Sequence, residues 1–128
     1  MNKDKYKQVA LDYINFLEAG DISAVVALFS KKGIVKSPIY GKMKAADFYK
    51  TLAADTTTSK LTLKGIFTED GQARAALYFE YQWLLEGGEK VVFDVVDIIV
   101  FNEVQEIAEL QIIYDTVHSR EAVANLRK

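Results

Sequence analysis

The sequence predicts an α+β fold in which three N-terminal helices pack on a curved antiparallel sheet that encloses a pocket. Two observations predict it. Apolar residues recur at three- and four-residue spacing in the first part of the chain and at two-residue spacing from Leu61 onward. Helices followed by a long antiparallel meander are typical of α+β proteins, and a strongly curved sheet leaves a concave side that three helices do not fill. No linker-like stretch divides the 128 residues, so we expect one domain, 1–128.

The first helix is indicated by a single apolar stripe. The stripe consists of Tyr6, Val9, Ala10, Tyr13, Ile14 and Leu17. Gly20 is suited to end this helix, and Asp21 to cap a second one that runs from Ile22 to Phe29. The sequence therefore predicts two consecutive helices with a break at residue 20.

A short strand, a turn and a third helix follow. We expect the strand at Ile34–Lys36 and the turn at residues 37–41, which contain the one proline of the chain. The third helix is predicted over Ala45–Ala54, with Phe48, Tyr49 and Leu52 on one face.

The remainder of the chain predicts four strands and a short C-terminal tail. Asp70-Gly71 and Gly87-Gly88 mark hairpin turns between them. The second of these strands directs one set of residues to a single side: Ala73, Ala75, Leu77, Phe79, Tyr81 and Trp83. The third is apolar on both faces, which indicates that both faces are covered. The helices are one cover, and a partner subunit is a candidate for the other. The fourth directs Ala108, Leu110, Ile112 and Tyr114 inward.

Composition excludes several classes of site. The net charge of −2 argues against a nucleic-acid partner. The chain has no cysteine and one histidine, His118, so we expect no thiol nucleophile, no metal site and no cofactor. The N-terminus has no apolar stretch typical of a signal peptide, and two aspartates interrupt the longest apolar run. We therefore expect a cytoplasmic protein with no membrane partner.

Two polar residues occupy positions where the pattern predicts apolar ones. Tyr13 lies on the stripe of the first helix, and Asp97 lies among Phe93, Val95, Ile99 and Phe101 on one strand face. A buried carboxyl without a cation holds its proton and becomes a hydrogen-bond donor. Beside a tyrosine hydroxyl it would form a donor pair for an oxygen on which negative charge develops. The spacing alone favours a core tyrosine and an aspartate that faces solvent or pairs with a cation.

Several segments, in order along the chain, resemble ketosteroid isomerases (steroid delta-isomerases) of the NTF2-like, or SnoaL-like, superfamily. They are residues 12–21 with 26–29, 35–41, 47–49, 79–82 and 94–102. The resemblance implies the NTF2-like/cystatin-like cone.

The resemblance also implies roles for individual residues. Tyr13 and Asp97 match that family's oxyanion-hole tyrosine and protonated aspartic acid. Tyr49 matches a tyrosine that hydrogen-bonds the catalytic one, Phe29 replaces another tyrosine of that network, and Tyr114 matches an aromatic residue of the pocket. The remaining expected pocket residues are Phe48, Tyr81, Trp83, Val95, Ile99 and Ile112.

Ser37 departs from the family pattern. It occupies the position of the family's general base, an aspartate before the proline, and a serine hydroxyl does not accept a proton near neutral pH without another base. Asp94, Asp47, Asp115 and His118 are the other candidate bases, but alternation or sequence position puts none of them convincingly in the pocket.

Three hypotheses remain open at this point. The first is a protein that binds a small apolar carbonyl or phenol compound and, if it is an enzyme, performs isomerase- or lyase-type proton transfer. The second is a ligand-binding protein without catalysis. The third is an interaction module. In all three, an outer sheet face with Val92, Val96, Ile98 and Val100 fits a homodimer interface.

Five lysines bracket the 37–41 turn: Lys31, Lys32, Lys36, Lys42 and Lys44. They fit either a solvated surface or a positively charged rim for an anionic ligand.

Overall fold

The computed structural model describes residues 3–127, which form four helices and six strands. The helices and strands of the N-terminal half are α1 (Lys3–Ala19), α2 (Ile22–Ala27), β1 (Phe29–Ser37), β2 (Gly41–Lys44) and α3 (Ala45–Asp55). Those of the C-terminal half are β3 (Thr56–Thr68), β4 (Arg74–Leu85), β5 (Lys90–Phe101), β6 (Ile107–Ile113) and α4 (Ser119–Leu126). Within residues 3–127, no helix is both long enough and apolar enough to cross a membrane.

The six strands form one curved sheet in the order β2-β1-β6-β5-β4-β3. The strand pairs are antiparallel as predicted, except that β1 and β6 pair in parallel. β1 is also longer than the predicted Ile34–Lys36. Its register against β6 shifts between Phe29 and Ile34. This shift interrupts the two-residue apolar alternation from which a strand is predicted. Gly33 lies at this irregularity, where a Cβ would be only 3.0 Å from the carbonyl oxygen of Ile107.

The helical part confirms the predicted stripe. All six stripe residues of α1 are buried. Gly20 has φ +73°, and the Asp21 carboxylate accepts a hydrogen bond from the backbone N–H of Ala24 at 3.1 Å, as expected of a helix end and a cap. The predicted second helix was too long, since α2 ends at Ala27 and Phe29 already begins β1.

The long strands follow the predicted two-residue period on their inner face. In β4 and β5 the inner residues are buried from Ala75 to Leu85 and from Val95 to Phe101. β3 differs from the prediction because it begins at Thr56 and its register shifts between Leu63 and Gly65. The shift places Phe67 opposite Ala76, on the outer face, where it is exposed. Leu63, opposite Phe79, is also exposed.

The predicted C-terminal tail is wrong, because residues 119–126 form the helix α4. Ala122 and Val123 bury one side of it, while Arg127 directly after it donates two hydrogen bonds to the Asp55 carboxylate, both 2.9 Å long. The helix has too few large apolar residues to show a stripe, which is why the sequence did not predict it.

Candidate functional site

A mainly apolar cavity lies between α1, α3 and the concave face of the sheet. Its volume is about 50 Å³. Aromatic rings form most of its wall, from Phe48, Phe79, Tyr81, Trp83, Phe93 and Tyr114. Four polar side chains also reach it: Tyr13, Ser37, Tyr40 and Asp97. The cavity is therefore suited to a compact apolar molecule with one or two hydrogen-bonding atoms.

Tyr13 reaches the cavity from the buried stripe of α1. Its hydroxyl lies 2.8 Å from the hydroxyl of Tyr49 on α3, and both side chains are buried. Burial, followed by the proximity of Tyr49 and Asp97, raises the pKa of Tyr13 well above its ordinary value. Both tyrosines are therefore neutral, and when Tyr49 donates to Tyr13, the Tyr13 proton remains available to a ligand.

Asp97 is the second polar group, and it enters from the inner face of β5. It is 1% exposed, and its Oδ1 atom is buried without a hydrogen-bond partner in the described part of the chain. Burial raises the pKa of Asp97 well above its ordinary value, so the carboxyl holds its proton at neutral pH. The site thus contains a neutral acid whose hydrogen-bonding capacity is not used within the protein.

Ser37 is at the end of β1, on the cavity wall. Its Oγ accepts hydrogen bonds from the backbone N–H groups of Ile39 and Tyr40, both at 3.2 Å. These two bonds occupy the lone pairs of the oxygen and leave the O–H proton free to donate. Ser37 is therefore a donor fixed by the turn that follows it and has no free lone pair to take a proton.

Tyr40 follows in the same turn, and its hydroxyl donates to Asp55 Oδ2 at 2.6 Å. Asp55 is 7% exposed and also binds Arg127, which lowers the pKa of its carboxyl. The Tyr40 ring packs edge-on against Phe48, with 5.7 Å between ring centroids. Sequence reasoning missed this cluster because its members are separated by 15 and 72 residues, and no local pattern links them.

The expected pocket residues divide into two groups. Phe48, Tyr81, Trp83, Val95, Ile112 and Tyr114 line the cavity. Phe29, Tyr49 and Ile99 are buried but do not line it. Tyr49 lies behind Tyr13, and the Phe29 ring packs against the Tyr49 ring at 5.7 Å. The structure adds Leu17, Tyr40, Leu52, Phe79 and Phe93, of which Leu17, Leu52, Phe79 and Phe93 were on the predicted apolar faces.

The alternative bases lie outside the cavity. Asp94 is on the outer face of β5 and pairs with Lys64 at 2.9 Å, and the β4–β5 pairing runs without a register shift that would turn it inward. Asp47, Asp115 and His118 are exposed. Asp97 thus has the one carboxyl group on the cavity wall among residues 3–127.

The five lysines near the turn also stay outside the cavity. Lys31, Lys32, Lys42 and Lys44 are exposed, and Lys36 pairs with Glu109 at 3.2 Å. For the described residues, no group of three potential metal ligands is present either.

Comparison with known proteins identifies the fold. No family model and no curated protein matches the sequence. PrhC from Penicillium brasilianum is 13% identical with a TM-score of 0.82, covering 99% of this chain and 91% of its own. The epoxide hydrolase/cyclase-like enzyme SalBIII, described for pyran ring formation in the polyether salinomycin, is 14% identical with a TM-score of 0.75, covering 90% and 95%.

A third similar structure carries the name of the fold. It is a hypothetical protein with a ketosteroid isomerase-like fold from Catenulispora acidiphila, in complex with trimethylamine. It is 12% identical with a TM-score of 0.73, covering 84% of this chain and 85% of its own. The chain therefore has the ketosteroid isomerase-like, or NTF2-like, cone fold, as the sequence resemblance implied.

Proposed function

We propose that this chain is a single-domain protein that binds a compact, neutral, mainly apolar molecule through a carbonyl or phenol oxygen. The oxygen accepts hydrogen bonds from Tyr13 and from the protonated Asp97. The observation that carries the proposal is Asp97 itself, which lines an aromatic cavity and has a buried carboxyl oxygen, Oδ1, without a hydrogen-bond partner in residues 3–127. An unused buried polar group costs about 1–3 kcal/mol, and a ligand oxygen that pairs with it recovers part of that free energy.

The direction of the hydrogen bond between Tyr49 and Tyr13 supports a ligand oxygen that accepts from Tyr13. Tyr49 has its hydroxyl beside that of Tyr13, so it is suited to donate to Tyr13 while Tyr13 donates to the ligand. Asp97 donates to the same oxygen from β5, whereas Tyr13 donates from α1. Two donors on one oxygen favour a partly or fully negative oxygen, as in a phenolate or an enolate.

Catalysis by proton transfer is not part of this proposal. Enolisation, allylic isomerisation, dehydration and cyclisation would all place charge on the bound oxygen, but each also needs a base at the reacting carbon. Ser37 uses both lone pairs on backbone N–H groups, and Asp97 is neutral. The site supports stabilising an oxyanion and does not support removing a proton to generate it.

The positions of the lysines around the turn do not support a carboxylate as the ligand. Since none of the five lines the cavity in the described range, they do not compensate a carboxylate bound inside it. Apolar carboxylates and their methyl esters offer the check. We expect the esters to bind at least as tightly as the carboxylates. Clearly tighter binding of the carboxylates would show that the cavity prefers an anionic carboxylate ligand.

The main test is the ionisation of a bound phenol. A naphthol titrated into the protein should bind with its pKa lowered, which ultraviolet absorbance measures directly, because two donors stabilise the phenolate. Asp97→Asn and Tyr13→Phe should each weaken phenolate binding by about 10-fold or more. Asp94→Asn is the matched control, since Asp94 lies on the same strand but faces outward. Absence of naphthol binding, or equal loss in the control, would contradict the proposal.

The outer face of the sheet supports a second proposal, a homodimer. Val92 and Ile113 are each 49% exposed there, with Val96, Ile98 and Val100 half-buried beside them. An apolar sheet face of this kind is typical of subunit interfaces. Ile98→Glu should produce a monomer in sedimentation equilibrium, whereas Val104→Glu, at an exposed loop position, should leave the dimer intact. A wild-type protein that is already monomeric would contradict this proposal.

A further inference from the structure

A second cleft adjoins the cavity. It lies where the end of α1, the start of α2 and the end of α3 meet the beginning of β3. Leu17, Leu52 and Tyr81 line both the cavity and the cleft, so the two spaces adjoin at these side chains. The volume of the cleft is about 260 Å³.

The two spaces differ in chemistry. Whereas the cavity wall is mostly aromatic, the cleft is lined by the four consecutive hydroxyl-bearing residues 56–59. Glu18 is the charged residue of its lining within the described chain, and it accepts a hydrogen bond from the backbone N–H of Leu61 at 2.7 Å. The cleft is therefore a hydrogen-bonding space with one negative charge.

Tyr81 lies at the boundary between the two. Its hydroxyl lies 2.7 Å from the hydroxyl of Ser59 in the cleft, while its ring stacks on Phe93 of the cavity at 5.5 Å and 3°. Burial raises the pKa of Tyr81 to about 12, so its hydroxyl stays neutral. The side chain presents an apolar face to one space and a polar atom to the other.

We propose that the cleft is a second subsite, which binds a neutral hydroxyl- or amide-bearing tail on the molecule whose apolar head occupies the cavity. This inference rests on the proposed function, because it assigns the head to the Tyr13–Asp97 site. The small volume of the cavity supports it, since a ligand larger than a compact head has to continue elsewhere. The adjoining cleft offers more room and suitable hydrogen-bonding groups.

The charge of the cleft sets a preference among tails. Glu18 repels a carboxylate, and no lysine or arginine lines the cleft in residues 3–127 to offset that repulsion. Hydroxyl and amide groups can exchange hydrogen bonds with residues 57–59 without this cost. We therefore expect neutral tails to be preferred over anionic tails of equal length.

Three probes with the same head test the subsite. They are a naphthol without a tail, the same naphthol with an amide-linked hydroxyethyl tail, and the same naphthol with an amide-linked carboxymethyl tail. Calorimetry should show about 5-fold tighter binding for the hydroxyethyl compound than for the bare naphthol, corresponding to about one added hydrogen bond. The carboxymethyl compound should lack this gain.

Ala53→Phe and Ala54→Phe form a matched pair of variants. Both alanines are exposed on α3, but only Ala53 lines the cleft. Ala53→Phe should remove the gain from the hydroxyethyl tail and leave the bare naphthol unaffected, while Ala54→Phe should change neither. Nuclear Overhauser effects from the tail to the methyl groups of Thr57 and Thr58 provide a readout in the unmodified protein.

The outcomes separate the two proposals. Bare naphthol that binds, with no gain from the neutral tail and no Overhauser effect at residues 57–58, would overturn the subsite and leave the proposed function intact. Bare naphthol that does not bind at all would overturn the proposed function and the subsite with it. Equal effects of the two alanine substitutions would also overturn the subsite.

Discussion

The hydroxyl groups of Tyr13 and Tyr49 lie 2.8 Å apart inside the protein, joining α1 to α3 directly behind the cavity wall. Tyr13 lines the cavity and Tyr49 does not, so one residue is placed to contact a ligand and the other to act through it. The two rings meet edge to face, with 6.2 Å between centroids. This packing fixes the direction in which the Tyr13 hydroxyl points.

The pair predicts an order of effects on ligand binding. Tyr13→Phe removes a donor to the ligand, whereas Tyr49→Phe removes only the group that orients and polarises that donor. We expect Tyr49→Phe to weaken naphthol binding by about 2–10-fold, the range for one neutral hydrogen bond, and Tyr13→Phe to weaken it more. Titration calorimetry of the two variants provides the measurement. A larger effect of Tyr49→Phe would mean that the ligand does not contact Tyr13.

Asp97 predicts an unusual dependence of stability on pH. Its folded-state pKa is raised by burial, while in the unfolded chain it titrates near about 3.9. Above that pH the unfolded state releases the proton and the folded state keeps it, so folding stability falls by about 1.4 kcal/mol per pH unit until the folded pKa is reached. The Asp97→Asn variant cannot ionise at this position, so it should lack this loss of stability with rising pH.

The measurement is urea unfolding of both proteins from about pH 4 upward, where the difference between their free energies of unfolding isolates Asp97 from the other groups. The Asn variant should gain relative stability steadily as the pH rises. A difference that is constant across this range would show that Asp97 ionises normally, and the neutral donor would then be excluded.

The sequence predicted Tyr13, Asp97 and much of their apolar surroundings because side chains in a regular helix or strand face the same side at fixed intervals. Tyr13 stood out because the α1 stripe is periodic, and Asp97 because β5 alternates without a register shift against β4. β1 was underestimated because a register shift beside Gly33 breaks its alternation. Asp55 and Arg127 were missed because their relationship is purely tertiary, across 72 residues.

The Asp55–Arg127 pair predicts a measurable contribution of α4 to stability. Arg127→Gln leaves Asp55, which is nearly buried, with Tyr40 as its remaining side-chain donor. Because the Arg127 side chain is 51% exposed, solvent screens the pair, and we expect a loss of about 1 kcal/mol. Arg120→Gln, a substitution at an exposed arginine near the start of α4, is the control.

The pH dependence of this loss has a definite sign. Arg127 lowers the pKa of Asp55, so the pair stabilises the fold above the unfolded-state pKa of about 3.9, and the contribution disappears as the pH falls through the lower folded-state value. The difference between wild type and Arg127→Gln should therefore shrink in acid. A difference that grows as the pH falls would contradict the assignment.

Ser37→Asp tests whether the cavity keeps the geometry for proton transfer. In the unmodified protein Ser37 Oγ accepts two backbone hydrogen bonds, and an aspartate can make the same bonds with one oxygen while the other faces the cavity. We expect this variant to isomerise a β,γ-unsaturated ketone faster than wild type by about 10²–10⁴-fold, the range for general-base catalysis. Ultraviolet absorbance of the conjugated product follows the reaction. Ser37→Asn, which has the same shape and no base, should show no gain. An Asp variant that binds naphthol normally and still shows no rise would mean that the oxygen donors persist in this fold without a reactive carbon within reach of residue 37.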